Sequence, residues 1–194
     1  MIRPRLILVR HGRSAHVHRG WIDCTGLERW QLAYDAAGVH DADAPPASVV
    51  TLAREAALVV SSDMPRAIAS ASRLVGPDCA PTSPLLREIP LRLPTWPRVR
   101  LPLGAWALAI GLGTAWRMLR RDPSREAFTT QARAAAAWLT SLAEERGTVL
   151  AVTHAALRAH LAAALRERGW SAPSSRSWRH WSAWELTAGA DAGV

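Results

Sequence analysis

Short runs of apolar residues alternate along this chain with longer segments in which apolar residues recur every three or four positions. The runs at residues 5–9, 57–61 and 148–152 have the length and composition of buried β-strands. A helical pattern follows each run, which is typical of a mostly parallel sheet with helices packed on both faces. The pattern therefore predicts an α/β fold built as a three-layer sandwich.

Local signals place the helices and the last strand. Helical patterns cover residues 27–37, 47–55, 65–74, 123–146 and 155–168, and residues 181–187 predict a final strand at the sheet edge. Pro65 and Pro123 stand in first helical turns. Asp122 is the expected N-cap of the long helix, which Gly147 ends. The chain contains no internal repeat and no low-complexity linker, so we predict one domain spanning residues 1–194.

The segment at residues 90–119 does not fit this alternation. It opens with several prolines, and residues 101–116 then contain no charged side chain. As a helix, those residues would span about 24 Å, which is less than the roughly 30 Å of a bilayer core, so we expect no membrane-spanning helix. A buried helix, an apolar lid over a site, a homodimer contact and an anchor at a membrane surface all remain open. We treat residues at about 90–121 as an apolar cap or insert.

The chain is strongly positive, with a net charge of +8, because 24 basic residues outnumber 16 acidic ones. All 24 basic residues are arginine. The arginines are scattered, with no run longer than Arg120-Arg121, and no aromatic residues are regularly interleaved with them. We therefore expect no nucleic-acid partner. The excess charge favours attraction of a small anionic substrate.

Other features concern the compartment and possible metals. The first residues lead directly into the first predicted strand without an apolar signal region, so we expect a cytoplasmic protein. Cys24 and Cys79 are far apart and not in a metal-binding spacing, which favours reduced thiols over a disulfide. His16 and His18 could hold one edge of a metal site, but solvated loop histidines are the simpler interpretation. We predict no metal and no other cofactor.

The ends of three predicted strands carry residues suited to one kind of chemistry. Arg10 and His11 follow the first strand, Arg66 opens the helix behind the second, and His154 follows the third. Because the carboxyl ends of parallel strands meet at one edge of a sheet, we expect these side chains to lie together. Arginine forks and helix N-termini bind phosphate oxygens, and an imidazole can attack phosphorus. The sequence therefore predicts a site that acts on a phosphate group.

Several segments in and around these positions also carry recognisable motifs. They are Leu8-Val9-Arg10-His11-Gly12, Ser61-Ser62-Asp63-Met64-Pro65-Arg66-Ala67, Leu86-Arg87-Glu88-Ile89 and Val152-Thr153-His154. In this order they resemble the signature of the histidine phosphatase superfamily, and within it the phosphoglycerate mutase-like branch. The resemblance covers residues 5–165, about four-fifths of the chain. It implies a phosphoglycerate mutase-like fold and a metal-independent phosphatase that forms a phosphohistidine intermediate.

The resemblance also implies a role for each matching residue. His11 is the nucleophile, His154 contacts the transferred phosphoryl group, and Glu88 gives a proton to the leaving oxygen and later activates water. Arg10 and Arg66 bind the phosphate. The two arginines would disfavour protonation of His11, and burial would keep Glu88 protonated when the ester arrives.

Parts of this assignment have alternatives. Glu88 could instead form a surface salt bridge with Arg87 or Arg92. Arg13 and Ser14 stand where the family usually has an acidic residue and then threonine. Because Ser14 keeps the hydroxyl and Arg13 adds positive charge, both are candidate substrate-binding residues.

Other departures concern contacts to the phosphate. Val17 stands where related sequences often have asparagine, and His16 or His18 could substitute for the missing contact. His180 would reach the site only if the last strand lies beside it. Two alanines follow His154 where the family often has glycines.

The apolar cap bears on the substrate and on alternatives to a phosphatase. Because a wall of leucine, alanine and tryptophan suits an apolar or aromatic leaving group, we expect a small-molecule phosphate monoester with such a group. Alternatives are a phosphate-binding module without turnover, and a non-hydrolytic enzyme of the same fold acting on a phosphorylated metabolite. Docking at a membrane surface and homodimer formation are compatible with each of these.

Overall fold

A five-stranded sheet lies at the centre of the computed structural model, which describes residues 3–77, 80–89, 93–96, 99–119 and 123–189. In chain order the strands are β1 (Arg5–Arg10), β2 (Trp21–Ile22), β3 (Leu58–Ser62), β4 (Thr82–Ser83), β5 (Leu101–Pro102), β6 (Thr148–Thr153) and β7 (Ala183–Thr187). The helices are α1 (Cys24–Ala36), α2 (Ala47–Glu55), α3 (Pro65–Val75), α4 (Leu103–Leu119), α5 (Pro123–Arg146) and α6 (Ala155–Glu167). A 3₁₀ turn covers Pro84–Leu86.

The strand order is β4-β3-β6-β1-β7, and all neighbours are parallel except β7, which runs antiparallel to β1 at the edge. This order confirms the predicted α/β fold with a mostly parallel sheet. The register sets Arg10 opposite Thr153, and Ser61 opposite Val152. The carboxyl ends of β1, β6 and β3 therefore lie side by side at one edge of the sheet.

Helices cover both faces of the central strands. Leu6 and Leu8 belong to a core formed with α5 and α6, whereas Ile7 and Val9 belong to a core formed with α2 and α3. All four side chains are completely buried. Because successive side chains of a strand point to opposite faces, a continuous apolar strand needs a helix layer on each side. Only the ends of these strands are then left to carry polar chemistry.

The predicted long elements agree with the observed ones to within a few residues. Helix α1 begins three residues before its predicted start, because the Asp23 carboxylate accepts a hydrogen bond from the Gly26 N–H at 2.8 Å and caps it. Strands β2, β4 and β5 were not predicted, since two residues are too few to show a pattern. Asp122, the expected cap of α5, lies outside the described residues, as does Cys79.

The apolar residues 101–116 form β5 and most of α4. Trp106 is completely buried, and its indole N–H donates to the Ile22 carbonyl at 2.9 Å. Trp106 and Ile110 pack with Ile22 and Leu27 in a small core of their own. Other large apolar side chains of the helix are exposed, namely Leu108, Leu112 and Trp116. No helix among the described residues is both long enough and apolar enough to cross a bilayer.

We expect Trp106→Ala to lower the free energy of unfolding by about 3–5 kcal/mol, because it leaves a cavity and an unpaired carbonyl in this small core. Leu108→Ala on the exposed side of the same helix is the matched control, with an expected change within about 0.5 kcal/mol. Urea unfolding followed by tryptophan fluorescence and by circular dichroism measures both. Equal effects of the two substitutions would contradict the packing described for α4.

Candidate active site

Five of the seven predicted site residues lie together at the carboxyl edge of the sheet. Arg10, His11, Arg66 and Glu88 line one cavity of about 750 Å³. The ring of His154 lies beside that of His11, with 4.9 Å between the ring centroids. Residues from three strand ends and one 3₁₀ turn thus meet where the parallel topology predicts.

His11 is held with one ring nitrogen available for chemistry. Its Nδ1 lies 2.7 Å from the Gly12 carbonyl oxygen, and because that oxygen can only accept, Nδ1 carries the proton. The lone pair is therefore on Nε2. Glycine is required at position 12, since an added Cβ would lie 2.7 Å from the Trp181 ring and 2.8 Å from an Asp43 oxygen. The Gly12 N–H donates to Ser70 Oγ at 2.8 Å, which fixes the turn.

The His11 ring is neutral at physiological pH. Burial is the largest cause that lowers its pKa, the hydrogen bond to Gly12 opposes it, and the charges of Arg66 and Arg10 act with burial, so that the pKa falls to about 3. Only 2% of the side chain is exposed. A neutral ring is the form that can attack an electrophile, so the surroundings hold His11 in its nucleophilic state.

Arg66 stands in the first turn of α3 and is 2% exposed. Its Nη1 donates to Asp35 Oδ1 at 3.2 Å, and its guanidinium lies 4.5 Å from the centre of the Tyr34 ring. Arg10 donates through Nη1 to the Trp178 carbonyl. Among the described residues, the buried Nε of each arginine has no hydrogen-bond partner. Two guanidinium groups thus keep unused donors at the cavity.

His154 is completely buried at the N-cap position of α6. Its Nε2 lies 3.0 Å from Ser62 Oγ, and its Nδ1 has no partner among the described residues. Burial lowers its pKa well below the ordinary value, and the neighbouring His11 and arginines act in the same direction. A second neutral imidazole therefore lies next to His11, oriented by a hydroxyl group on β3.

Glu88 follows the 3₁₀ turn and reaches the N-terminus of α6. Its Oε1 accepts from the Leu157 N–H at 3.0 Å and from the Ile89 N–H at 3.1 Å, and its Oε2 lies 3.4 Å from the Ala156 nitrogen. Burial raises the pKa of Glu88, while these hydrogen bonds and Arg66 oppose the rise. A carboxyl group with a raised pKa can give a proton to a leaving oxygen.

The salt-bridge alternative for Glu88 is wrong as regards Arg87. That arginine instead forms a two-pronged ion pair with Asp63, with its Nε 2.7 Å from Oδ1 and its Nη2 2.7 Å from Oδ2. Arg92 lies outside the described residues. The Glu88 carboxyl thus turns to the helix N-terminus and the cavity rather than to Arg87.

Arg13 and Ser14 are not brought to the cavity. The Arg13 side chain is 70% exposed and lies 3.8 Å from Asp43, whose Oδ2 also accepts from the Arg13 N–H at 2.5 Å. Ser14 is buried, and its Oγ accepts from the His16 N–H at 3.2 Å. The tight turn at position 12 directs the chain away from the site, so neither side chain lines the cavity. Val17 is 62% exposed.

Helices α1 and α4 make the other walls of the cavity, and these walls are largely apolar. The lining residues of α1 are Leu27, Trp30, Gln31, Tyr34 and Asp35. Those of α4 are Leu103, Gly104, Trp106, Ala107, Ile110, Gly111 and Thr114. The site is therefore a cationic floor with histidines and a carboxyl group, facing an apolar chamber.

Sequence reasoning missed several residues of the site. Tyr34 stacks on Arg66, Ser62 orients His154, and Trp178 accepts from Arg10. The His180 ring lies 5.6 Å from that of His11, which the sequence left conditional on the position of the last strand. No local signal could have placed these residues, because each meets its partner only through the fold.

No metal site is visible in the described part of the chain, where no group of three His, Cys, Asp or Glu side chains could hold an ion. His16, considered above with His18 as an edge of such a site, instead lies beside Trp30 with 6.2 Å between ring centroids.

Solved structures with the same fold include a mycobacterial protein described as "Mycobacterial hydrolase 2", which is 23% identical with a TM-score of 0.55. That match covers 96% of this chain and 83% of the other. Phosphoglycerate mutase from Bacillus anthracis str. Sterne is 18% identical with a TM-score of 0.53, over 95% of this chain and 88% of that one. No protein-family model and no curated protein matches the sequence. The chain therefore has the phosphoglycerate mutase-like fold that its motifs predicted.

We expect acid to destabilise the protein through its buried histidines. Burial lowers the pKa of His11 and His154 from 6.5, so below that pH the unfolded chain binds more protons than the folded one. The free energy of unfolding should therefore fall as the pH decreases from about 6.5, although Glu88, with its raised pKa, acts in the opposite direction. Thermal unfolding at several pH values tests this. In His154→Gln, stability should fall less steeply as the pH decreases. An unchanged fall would contradict the assignment of a lowered pKa to His154.

Proposed function

We propose that this chain, whose fold is that of phosphoglycerate mutase, is a metal-independent phosphatase that hydrolyses a small-molecule phosphate monoester through a phosphohistidine. The observation that supports it best is the neutral His11, whose Nδ1 is tied to Gly12 and whose Nε2 has no hydrogen bond to a described residue, in one cavity with the buried Arg66 and the partly buried Arg10. A nucleophile and an anion-binding site at one point suit attack on phosphorus. Glu88, with its raised pKa, stands across the same cavity as the proton donor.

In the first step, the Nε2 lone pair of His11 forms a bond to phosphorus as the bond between phosphorus and the leaving oxygen breaks. Glu88 transfers its proton to that oxygen, so the alcohol or phenol leaves neutral and Glu88 becomes a carboxylate. Arg10 and Arg66 neutralise the charge on the non-bridging oxygens. The Nδ1–H bond to Gly12 stabilises the positive charge that develops on the imidazole ring.

In the second step, water replaces the leaving group. The Glu88 carboxylate takes a proton from the water as its oxygen attacks phosphorus, and the bond from phosphorus to Nε2 breaks. Inorganic phosphate leaves, His11 is again neutral and Glu88 is again protonated. His154, whose Nδ1 has no partner among the described residues, is proposed to contact the phosphoryl oxygens in both steps.

The leaving group is proposed to be apolar or aromatic. Trp30, Leu103 and Ala107 are apolar residues of the chamber lining that keep exposed surface. Trp30 and Leu103 pack against the buried Leu27, Trp106 and Ile110. Burying a leaving group there releases water from apolar surface, with a gain of about 25 cal/mol per Å². A sugar hydroxyl placed against the same wall would lose hydrogen bonds to water without replacement.

We expect the native protein to hydrolyse an aryl phosphate such as 4-nitrophenyl phosphate in the presence of a chelator, and His11→Ala to lose at least about a thousandfold in kcat. Exposed His40→Ala is the matched control and should keep full activity. Rapid acid-free quenching and mass measurement should show one phosphoryl group on native protein, but none on His11→Ala. Phosphate binding without turnover in the native protein would instead favour a binding module.

Activity without phosphorylation at His11 would overturn the proposed mechanism. Mass analysis of the organic product separates hydrolysis from another reaction on a phosphorylated metabolite, because hydrolysis yields the free alcohol or phenol. Anion binding, turnover and product mass, measured on the same protein, therefore distinguish the phosphatase from the binding module and from the non-hydrolytic enzyme.

We expect Gly111→Leu to reduce kcat/KM about tenfold for 1-naphthyl phosphate, with little change for a small ester such as methyl phosphate. Gly111 lines the chamber, and a Cβ there meets nothing within 4 Å, so a larger side chain fills space instead of straining the helix. Gly111→Ala is the matched control, with near-native values for both esters. Equal loss for both esters in Gly111→Leu, or a native preference for sugar phosphates, would contradict the apolar leaving group.

A further inference from the structure

A loop at residues 177–182 is anchored over the active-site edge by an unusually dense set of hydrogen bonds. The Ser177 carbonyl accepts from Arg158 Nη2 at 2.7 Å, from Ser182 Oγ at 2.9 Å and from Trp184 Nε1 at 2.9 Å. The buried Arg158 also donates to the Ser182 carbonyl at 2.6 Å. Arg10 reaches the same loop through the Trp178 carbonyl. The loop is therefore a fixed part of the site.

The backbone of this loop is strained at Trp181. Its φ angle is +60°, the left-handed region that a bulky residue rarely adopts. The conformation is held by the Trp181 N–H, which donates to the Arg10 carbonyl at 3.0 Å, and by the indole, which donates to Asp43 Oδ2 at 2.8 Å. Strain that persists under such contacts points to a position whose geometry is used. The residue immediately before Trp181 in the chain is His180.

His180 lies next to the nucleophile. Its ring centroid is 5.6 Å from that of His11, whose other described histidine neighbour is His154 at 4.9 Å. The His180 side chain is partly exposed, and its ring makes no hydrogen bond to any described residue. Like His154, it flanks His11 without being one of the residues that line the cavity. Its nearness to the His11 ring is the observation that carries the inference below.

We infer that His180 is a further phosphate-binding residue, which donates a ring N–H to a non-bridging oxygen of the phosphoryl group attacked by His11. The inference rests on the proposed function for the identity of that group. It adds a donor from the last loop of the chain to those of Arg10 and Arg66. In the phosphoryl-transfer step no proton leaves His180, because it acts only as a hydrogen-bond donor.

The charges around His180 are consistent with a neutral donor. Burial is the largest cause that lowers its pKa, Arg10 and Arg13 act in the same direction and Asp43 opposes them, so that the pKa falls to about 4. His11, whose ring centroid lies 5.6 Å away, is itself neutral. At neutral pH the His180 ring therefore carries one N–H and no charge. It can bind a phosphate dianion without repelling the two arginines.

The test compares variants that separate the effect of the aromatic ring of His180 from the effect of its N–H donor. His180→Phe keeps the aromatic volume and removes the N–H, whereas His180→Gln keeps a donor without the ring. We expect His180→Phe to weaken binding of orthovanadate and inorganic phosphate about tenfold and to lower kcat/KM for 4-nitrophenyl phosphate by a similar factor. His180→Gln should recover much of both losses. Arg179→Ala, an exposed neighbour in the same loop, is the control and should match the native protein.

The anion-binding measurement keeps this inference separate from the proposed function. Weaker anion binding by His180→Phe in a protein that lacks hydrolysis would support the phosphate contact and reject the phosphatase. Native anion affinity in a folded His180→Phe would overturn the inference, whatever the turnover. Thermal unfolding of each variant identifies a merely structural role of His180. In that case His180→Gln would disturb the packing of the loop, lower Tm and fail to recover anion binding.

Discussion

Positive charge held out of water with little compensating charge is the constraint on which the rest of this structure depends. Arg66 is 2% exposed with Asp35 as its ion-pair partner, and Arg10 donates to a main-chain carbonyl. Both retain unused donors among the described residues, so a dianion is the natural complement of the site. The same field and the same burial keep His11 unprotonated. The anion binding proposed here and the neutral state of His11 therefore share burial and the two arginine charges as their causes.

The parallel sheet makes this concentration of charge possible. Arg10 is the last residue of β1, His154 follows β6, and Arg66 opens the helix that follows β3. Their strands are adjacent, so residues far apart in sequence converge at one edge. The amide groups at the start of α6 hold the Glu88 carboxyl, which balances the burial that raises its pKa. Backbone polarity thus supports the catalytic carboxyl proposed here.

Two later parts of the chain complete the site, and they divide its surface between them. Helix α4 contributes an apolar wall that includes Leu103 and Ala107 and faces the proposed leaving group. The loop at 177–182 stands at the proposed phosphate end and is fixed by Arg158. Substitutions in the helix can therefore alter selectivity for the leaving group while the phosphate contacts remain.

The sequence by itself determined the fold class and the chemical core of the site. Continuous apolar runs predict strands that are buried on both faces. Arg10, His11, Arg66 and His154 stand at or shortly after the ends of such strands, which brings them to one edge of the sheet. Only the tertiary structure decided which further side chains join them. Arg13 and His180 illustrate this, since the first is two residues from His11 in sequence yet points to solvent, whereas the ring centroid of the second, remote in sequence, lies 5.6 Å from that of His11. Side-chain direction at a turn and contact across the chain depend on packing, which local pattern does not encode.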